Sequence, residues 1–475
     1  MSTILGPAVT RRSLLANAAG TIAAALVPSA VQSSRSVSEL KLVAVPARWP
    51  IVGKPHPETE VWSYDGRLPG PEIRVRQGEP VRIIVENKLK QDTTVHWHGI
   101  RLPIAMDGVP GLTQPPIKPG ESFVYSFTPP DAGTFWYHPH ANSLEQLGRG
   151  LAGALIVEEP EAIPVDRDVL WLLADWRLRS DVQIASGFGN AMEAAMAGRI
   201  GNTVTLNGAV TDEVPVRAGE RIRLRLVNAA LARIMALRFE DHRPVVVAID
   251  GQPCDPHEPQ GSRLLLGPAM RIDVILEMRG EPGRRYRVVD DFYRGFAYWV
   301  TELAYDERPQ VRAQPLEGSL ALPSNPLPEP DLARAERHVL TLQGGMMGGG
   351  GMGGMGGMRG MGHGATWGIN GRSMTGDGHA GMAPLLTLQL GGSYILTLRN
   401  ETAFWHPVHF HGHTFRVLSR NGSPVPHRQW ADSVLLPPRE TVDVAFIADN
   451  PGNWMLHCHV TEHQVSGLMT ILRVA

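Results

Sequence analysis

The sequence predicts an all-β protein built from repeated Greek-key sandwiches or barrels, and three observations carry that expectation. Gly and Pro are abundant, at 51 and 39 of 475 residues, which means many turns and few long helices. One strand-and-turn pattern recurs three times, and internal repetition of this kind sets the architecture before local detail does. Between the copies, periodic helical segments are missing. The chain is too long for one ordinary core, and 43% hydrophobic residues support a globular protein. A formal charge of −2, from 45 basic and 47 acidic side chains, excludes a polyanionic partner such as nucleic acid.

The N-terminus is set apart from the repeats. Thr10-Arg11-Arg12-Ser13-Leu14-Leu15 leads into a mildly apolar stretch to Val27, ending in small residues near Ala30. Basic, apolar and small segments in that order predict a secretory signal over residues 1–35, and the paired arginines favour the twin-arginine route. No later stretch reaches about 18 consecutive apolar residues, so a periplasmic protein without membrane insertion is expected.

Each repeat opens on a tight turn and alternates apolar and polar residues into an Asn. The first runs from Asp65-Gly66 through Ile73-Arg74-Val75-Arg76-Gln77-Gly78 to Ile83-Ile84-Val85-Glu86-Asn87. The second runs from Asn207-Gly208 through Val214-Pro215-Val216 to Leu224-Arg225-Leu226-Val227-Asn228, and the third from Asn370-Gly371 through Leu386-Thr387-Leu388 to Leu396-Thr397-Leu398-Arg399-Asn400. Period-two alternation between glycine turns means half-buried strands. Each repeat closes on a second shared element, Gly133 before Phe135-Trp136-Tyr137-His138, Gly283 before Tyr286-Arg287-Val288, and Gly452 before Trp454-Met455-Leu456-His457. Three β domains are therefore expected, over residues 36–160, 161–305 and 336–475, with a Pro-rich linker at 306–335. The middle repeat has Val288 and Asp290 where the others carry histidines, so it reads as a spacer.

Chemistry enters with four His-x-His pairs, His96/His98, His138/His140, His409/His411 and His457/His459. On a strand, residues i and i+2 share a face about 6.6–6.8 Å apart. That is wide for one ion but suits neighbouring ions about 3.5–4 Å apart. Imidazole suits several metals, so the pairs alone leave the metal open. The last motif narrows it to copper. His457-Cys458-His459 puts the thiol on the opposite face from its neighbours, and His406 and His463 complete a His₂Cys set of the blue-copper kind. Cys254 reads as a small buried filler.

His96-Trp97-His98-Gly99, Trp136-Tyr137-His138-Pro139-His140, His406-Pro407-Val408-His409-Phe410-His411-Gly412 and His457-Cys458-His459 with His463 resemble the four copper motifs of three-domain multicopper oxidases, laccases and bacterial cuprous oxidases among them. The resemblance runs from about residue 40 to the C-terminus. It implies three cupredoxin domains and four copper ions, with a cluster between the first and third domains. By position, the type 1 copper takes His406, Cys458 and His463; the type 2 copper takes His96 and His409; the type 3 pair takes His98, His138, His140, His411, His457 and His459. Asp107 falls where the family has an acid that helps deliver protons. His413 is left outside the set, as a neighbour of the ligands or an exposed side chain.

Two departures bear on the substrate. The axial methionine of many bacterial relatives is Leu468 here, which implies a three-coordinate, more oxidising type 1 site, and a further relay acid is replaced by Gln464. Residues 344–364 are almost only Gly and Met, and Met346, Met347, Met352, Met355, Met358 and Met361 are candidate Cu(I) ligands because thioether sulfur is soft. Cuprous oxidases of the family place Asp and Met where this chain has Thr402 and Phe404. The expected activity is four one-electron oxidations, of Cu(I) or of phenolic or aromatic-amine donors, coupled to reduction of O2 to water and linked to copper tolerance, in a monomer. A laccase with an organic donor is the alternative, and a non-catalytic copper-binding or envelope-assembly protein is the alternative from another class.

Overall fold

A computed structural model describes residues 38–475 except 162, 313, 347–365, 377, 378 and 380. The proposed signal over 1–35 and Met347, Met352, Met355, Met358 and Met361 lie outside the described residues. Among the described residues the architecture is mainly β, with three pairs of sheets, each pair closed over its own apolar core, and a two-stranded ribbon of Met374–Thr375 with Ser466–Gly467.

The sheet pairs share one wiring. In each, the opening strand runs parallel to the long alternating strand: Ser38–Trp49 with Val81–Asn87, Arg167–Trp176 with Arg221–Asn228, and Glu336–Gly344 with Ser393–Asn400. A second parallel pairing joins Ile73–Arg76 to Gly153–Glu158, Glu213–Val216 to Tyr298–Tyr305, and Leu386–Leu388 to Met469–Val474. The turn residues explain why. Asp65, Asn207 and Asn370 sit at φ 57°, 50° and 50°, a left-handed conformation that Asp and Asn tolerate better than most residues. Their side-chain oxygens accept from the amides of Val43, Leu172 and Thr341 on the opening strand of each repeat. The terminal asparagines are equally alike. Asn87, Asn228 and Asn400 are buried, and each donates to two or more carbonyls of the loops that follow.

The stretch 306–335 is tied to the sheets beside it. Asn325 donates to the Ala132 carbonyl and to Gln252 and accepts from the Ala132 amide, bridging the first and second sheet pairs. Leu322 is buried against Val247, Ala248 and Ile275. The strand leading toward the Gly/Met segment extends to Gly344, whose register partner is Trp367. The described residues that flank the segment are thus cross-strand neighbours. Among the described residues, no helix is long and apolar enough to cross a membrane.

Candidate metal centre

Strand register gathers the histidines. His96 lies opposite His138, and His409 lies opposite His457. Opposed residues on neighbouring antiparallel strands project to the same face. Strands of the first and third sheet pairs therefore present their histidines to one another across a buried seam. The ligand atoms fall into groups within 4.8 Å: His96, His98 and His409; His98, His138 and His459; His140, His411 and His457; and, apart from these, His406, Cys458 and His463. All ten histidines and Cys458 are buried.

The hydrogen bonds fix which ring nitrogens are free. His96 Nδ1 donates to the Asp107 carbonyl at 2.8 Å, His409 Nδ1 to the Asp432 carbonyl at 2.9 Å, and His457 Nδ1 to the Cys458 carbonyl at 2.9 Å. His98 uses its other nitrogen, Nε2, to donate to Asp432 Oδ1 at 3.1 Å. The opposite nitrogens, His96 Nε2, His98 Nδ1 and His409 Nε2, are buried without a hydrogen-bond partner, as are both nitrogens of His140. Elsewhere ring nitrogens face each other. His411 Nε2 is 3.0 Å from His457 Nε2, and His138 Nε2 is 3.4 Å from His459 Nε2. Burial holds His98, His138, His140, His411, His457 and His459 well below the usual imidazole range, so they are neutral, the form that binds metals. Buried ring nitrogens converging with so few hydrogen-bond partners fit a group of metal ions.

The separate triad follows the same logic. His406 Nε2 is bonded to the Thr402 hydroxyl at 2.8 Å, and His463 Nε2 donates to the Met196 carbonyl at 2.8 Å. Both Nδ1 atoms then face the sulfur, at 3.5 and 3.7 Å from Cys458 Sγ. Burial pushes the Cys458 thiol up and lowers His463 to about 3, so the sulfur needs a cation to ionise while the imidazole is ready to ligate. Trp367 and Phe404 pack edge-on or tilted over the triad. Leu468 lies in the same core as Cys458, whereas Met469 turns away to pack with Val109 and Met455. The peptide chain joins Cys458 directly to His457 and His459 in the cluster.

Asp107 follows the short 3₁₀ turn Ile104–Met106 and is buried, with its carboxylate accepting from His411 Nδ1 at 3.0 Å and 3.2 Å from His96 Nδ1. His413 is buried, stacked on Phe410 at 4.7 Å, outside the donor groups. Cys254 is a free, buried thiol pushed up to about 12 by burial, in the core of the middle sheets. Gln464 is buried beside the triad. Met346 is 55% exposed and its amide bonds the Ala195 carbonyl, next to Met196.

The sequence reading missed a buried charge network under the cluster. Arg271, from the middle sheets, holds Asp432 in a two-point pair and also donates to the carbonyls of Asp250, Ala269 and Thr134. Asp250 in turn accepts from the amides of Arg271 and Ser433. Burial pushes Asp250 up; it would raise Asp432 too, but Arg271 and the His409 hydrogen bonds outweigh it and hold that carboxyl low. Gly99, at φ 88°, leaves the space the guanidinium occupies, which a Cβ would fill.

Paired β-sheets with a buried His₂Cys triad joined through one backbone to a multi-histidine cluster define a copper redox protein. Three regions, 48–162, 167–297 and 360–475, match family profiles described as multicopper oxidase. The chain is 29% identical to the multicopper oxidase MmcO of Mycobacterium tuberculosis over 93% of its length and 87% of that protein. It is 28% identical to Laccase-2 of Botryotinia fuckeliana over 86% of its length and 77% of that protein. A multi-copper oxidase from Pseudomonas thermotolerans, known from a crystal structure, superposes with a TM-score of 0.82 at 35% identity, covering 93% of this chain and all of that one. The chain belongs to the multicopper oxidase family. It is an oxidoreductase, and copper is the metal its histidine groups are built for.

Proposed function

We propose that this protein oxidises donors one electron at a time and reduces O2 to water on four copper ions, within the three domains 36–160, 161–305 and 336–475. The observation that carries the reading is Cys458, which sits in the triad while its two chain neighbours sit in the cluster. His406, Cys458 and His463 would hold the type 1 copper, His96 and His409 the type 2 ion, and His98, His138, His140, His411, His457 and His459 the type 3 pair. Copper there would accept electrons at the triad and deliver them to oxygen at the cluster.

The chain's own residues do the rest. Thr402 and the Met196 carbonyl orient His406 and His463 so that Nδ1 points at the sulfur. Trp367, Phe404 and Leu468 keep water from the triad. Asp107 is the acid placed to hold a proton at the cluster, since its carboxylate reaches His411 Nδ1 and lies beside His96.

Cu(I) is the favoured donor, with periplasmic copper tolerance as the setting. His463 Nε2 meets the carbonyl of Met196, which is 41% exposed, and Met346, 55% exposed, bonds the adjoining Ala195 carbonyl through its amide. Exposed soft sulfur near the electron port suits Cu(I), and the sequence places more methionines in the segment that follows Met346. A laccase-type organic donor is the second reading. It is favoured by Thr402 and Phe404, whose side chains serve the triad and offer no ligand to a substrate metal. Replacing residues 347–364 by a short linker between the neighbouring ends separates the two. Under the Cu(I) reading, kcat/KM for Cu(I) falls about tenfold or more while that for a small phenol holds or rises. An equal fall in both makes the segment structural, and unchanged Cu(I) oxidation favours the laccase reading.

A further inference from the structure

We propose a second electron port: a pocket on the middle sheets that docks an electron-rich aromatic donor, a phenol or aryl amine, and passes its electron through Phe292 and Trp405 to His406. The proposal rests on the assignment of His406 to the type 1 copper.

The pocket is a cavity of about 570 Å³ lined by Ile200, Arg233, Tyr293, Phe296, Tyr298 and Trp299, among others. That volume lies in the range of small-molecule sites, about 300–1,000 Å³. Four of these walls are aromatic, and two are conspicuously uncovered, with Phe296 78% and Trp299 55% exposed. Large apolar rings gathered in the open mark a binding surface more often than a stable resting state. The inner wall is rigid. Tyr298 donates to Asp290 at 2.7 Å, Tyr293 Oη accepts from the Ile234 amide at 3.3 Å, and the Arg233 guanidinium lies 5.6 Å from both ring centres. Arg233 is itself paired with Asp175 at 3.1 Å, and Arg287, which covers one face of the Trp299 ring at 4.9 Å, is 3.4 Å from Glu302, so both cations at the pocket are paired and Trp299 has one face left for a ligand. An uncharged planar arene, stacked against Phe296 and Trp299, is the ligand this lining matches.

What makes the pocket a port is the line of rings behind it. Tyr293 meets Phe292 edge to face at 4.9 Å between centroids, and Phe292 meets Trp405 edge to face at 5.3 Å. Trp405 is bonded through the chain to His406. Phe292 and Trp405 pack against Ile234, Met270 and Leu435, an apolar setting that keeps the rings in contact. Electron transfer falls off steeply with distance through a protein, and successive rings in contact shorten each gap. The two triad histidines would thus serve different donors. His463 bonds the Met196 carbonyl, and His406 lies at the end of the aromatic line.

Each event balances simply. The docked phenol gives one electron to the oxidised type 1 site and its hydroxyl proton to water at the open mouth, and it leaves as a phenoxyl radical. No bond in the protein forms or breaks, and the oxidase's own turnover restores the oxidised site.

The test uses 2,6-dimethoxyphenol and two variants. Ligand-detected NMR on copper-free protein reads docking alone; the phenol should receive saturation from the wild type, and its affinity should fall about tenfold in Phe296→Ser/Trp299→Ser. No saturation transfer, or the same affinity in the variant, overturns the docking site. Phe292→Leu interrupts the line behind the pocket. On the copper-loaded protein without oxygen, the phenol should bleach the blue absorption about tenfold or more slowly than in the wild type, with affinity unchanged. Bleaching as fast as the wild type overturns the relay, and so does a loss of affinity in this variant, since the ring would then act by shaping the pocket. Failure of the underlying type 1 assignment reads differently, as a protein that never develops blue absorption to bleach.

Discussion

Cys458→Ser is expected to leave a folded protein that binds copper without blue absorption and oxidises its donors only at background rate. The side chain is buried among Val408, Leu456 and Leu468. A serine hydroxyl fits that space but faces the two Nδ1 atoms as a harder, weaker ligand. Its stability cost is that of one poorly satisfied buried hydroxyl, about 1–3 kcal/mol. The cluster histidines keep their own hydrogen bonds, so His457 and His459 stay placed. Absorption spectra, urea unfolding and oxygen uptake read the three effects separately. Full oxidase activity in this variant would remove the triad from the account.

Arg271→Met is expected to damage stability and metal retention together. The guanidinium is wholly buried and satisfies Asp432, Asp250 and three carbonyls. Methionine fills much of the volume but leaves two buried carboxyls without their cation, a loss of about 3–5 kcal/mol. Asp432 also accepts from His98 Nε2 and lies 3.2 Å from His409 Nδ1, so its displacement releases the rings that aim His98 Nδ1 and His409 Nε2 into the cluster. Loss of such a supporting partner weakens metal binding about 10–100-fold. Urea unfolding of the copper-free protein and copper retained after dialysis against a chelator measure the two. Lost stability with wild-type copper retention would make the network structural only.

Local periodicity explains what could be read from the sequence. The Asp-Gly and Asn-Gly turns, the alternating strands and the terminal asparagines repeat because each repeat solves the same folding problem locally. The His-x-His pairs were legible for the same reason, since i and i+2 must share a strand face. Arg271, Asp432 and Asp250 had no such signal. They come from strands and loops far apart in sequence, and a lone Arg or Asp on a strand gives no sign that it will be buried. The same holds for Thr402, a family departure in the sequence that the fold turns into the partner of His406. Met196 carries no signal of its own in the sequence, and only the contact between its carbonyl and His463 brings it to the triad.

The proposed function requires the triad and the buried cluster together to carry oxygen all the way to water. Oxygen uptake with a counted one-electron donor, followed by assay for hydrogen peroxide, measures it most directly. Four donors oxidised for each O2 consumed, with no peroxide released, is the expected result; two donors for each O2 with matching peroxide would overturn the proposed function.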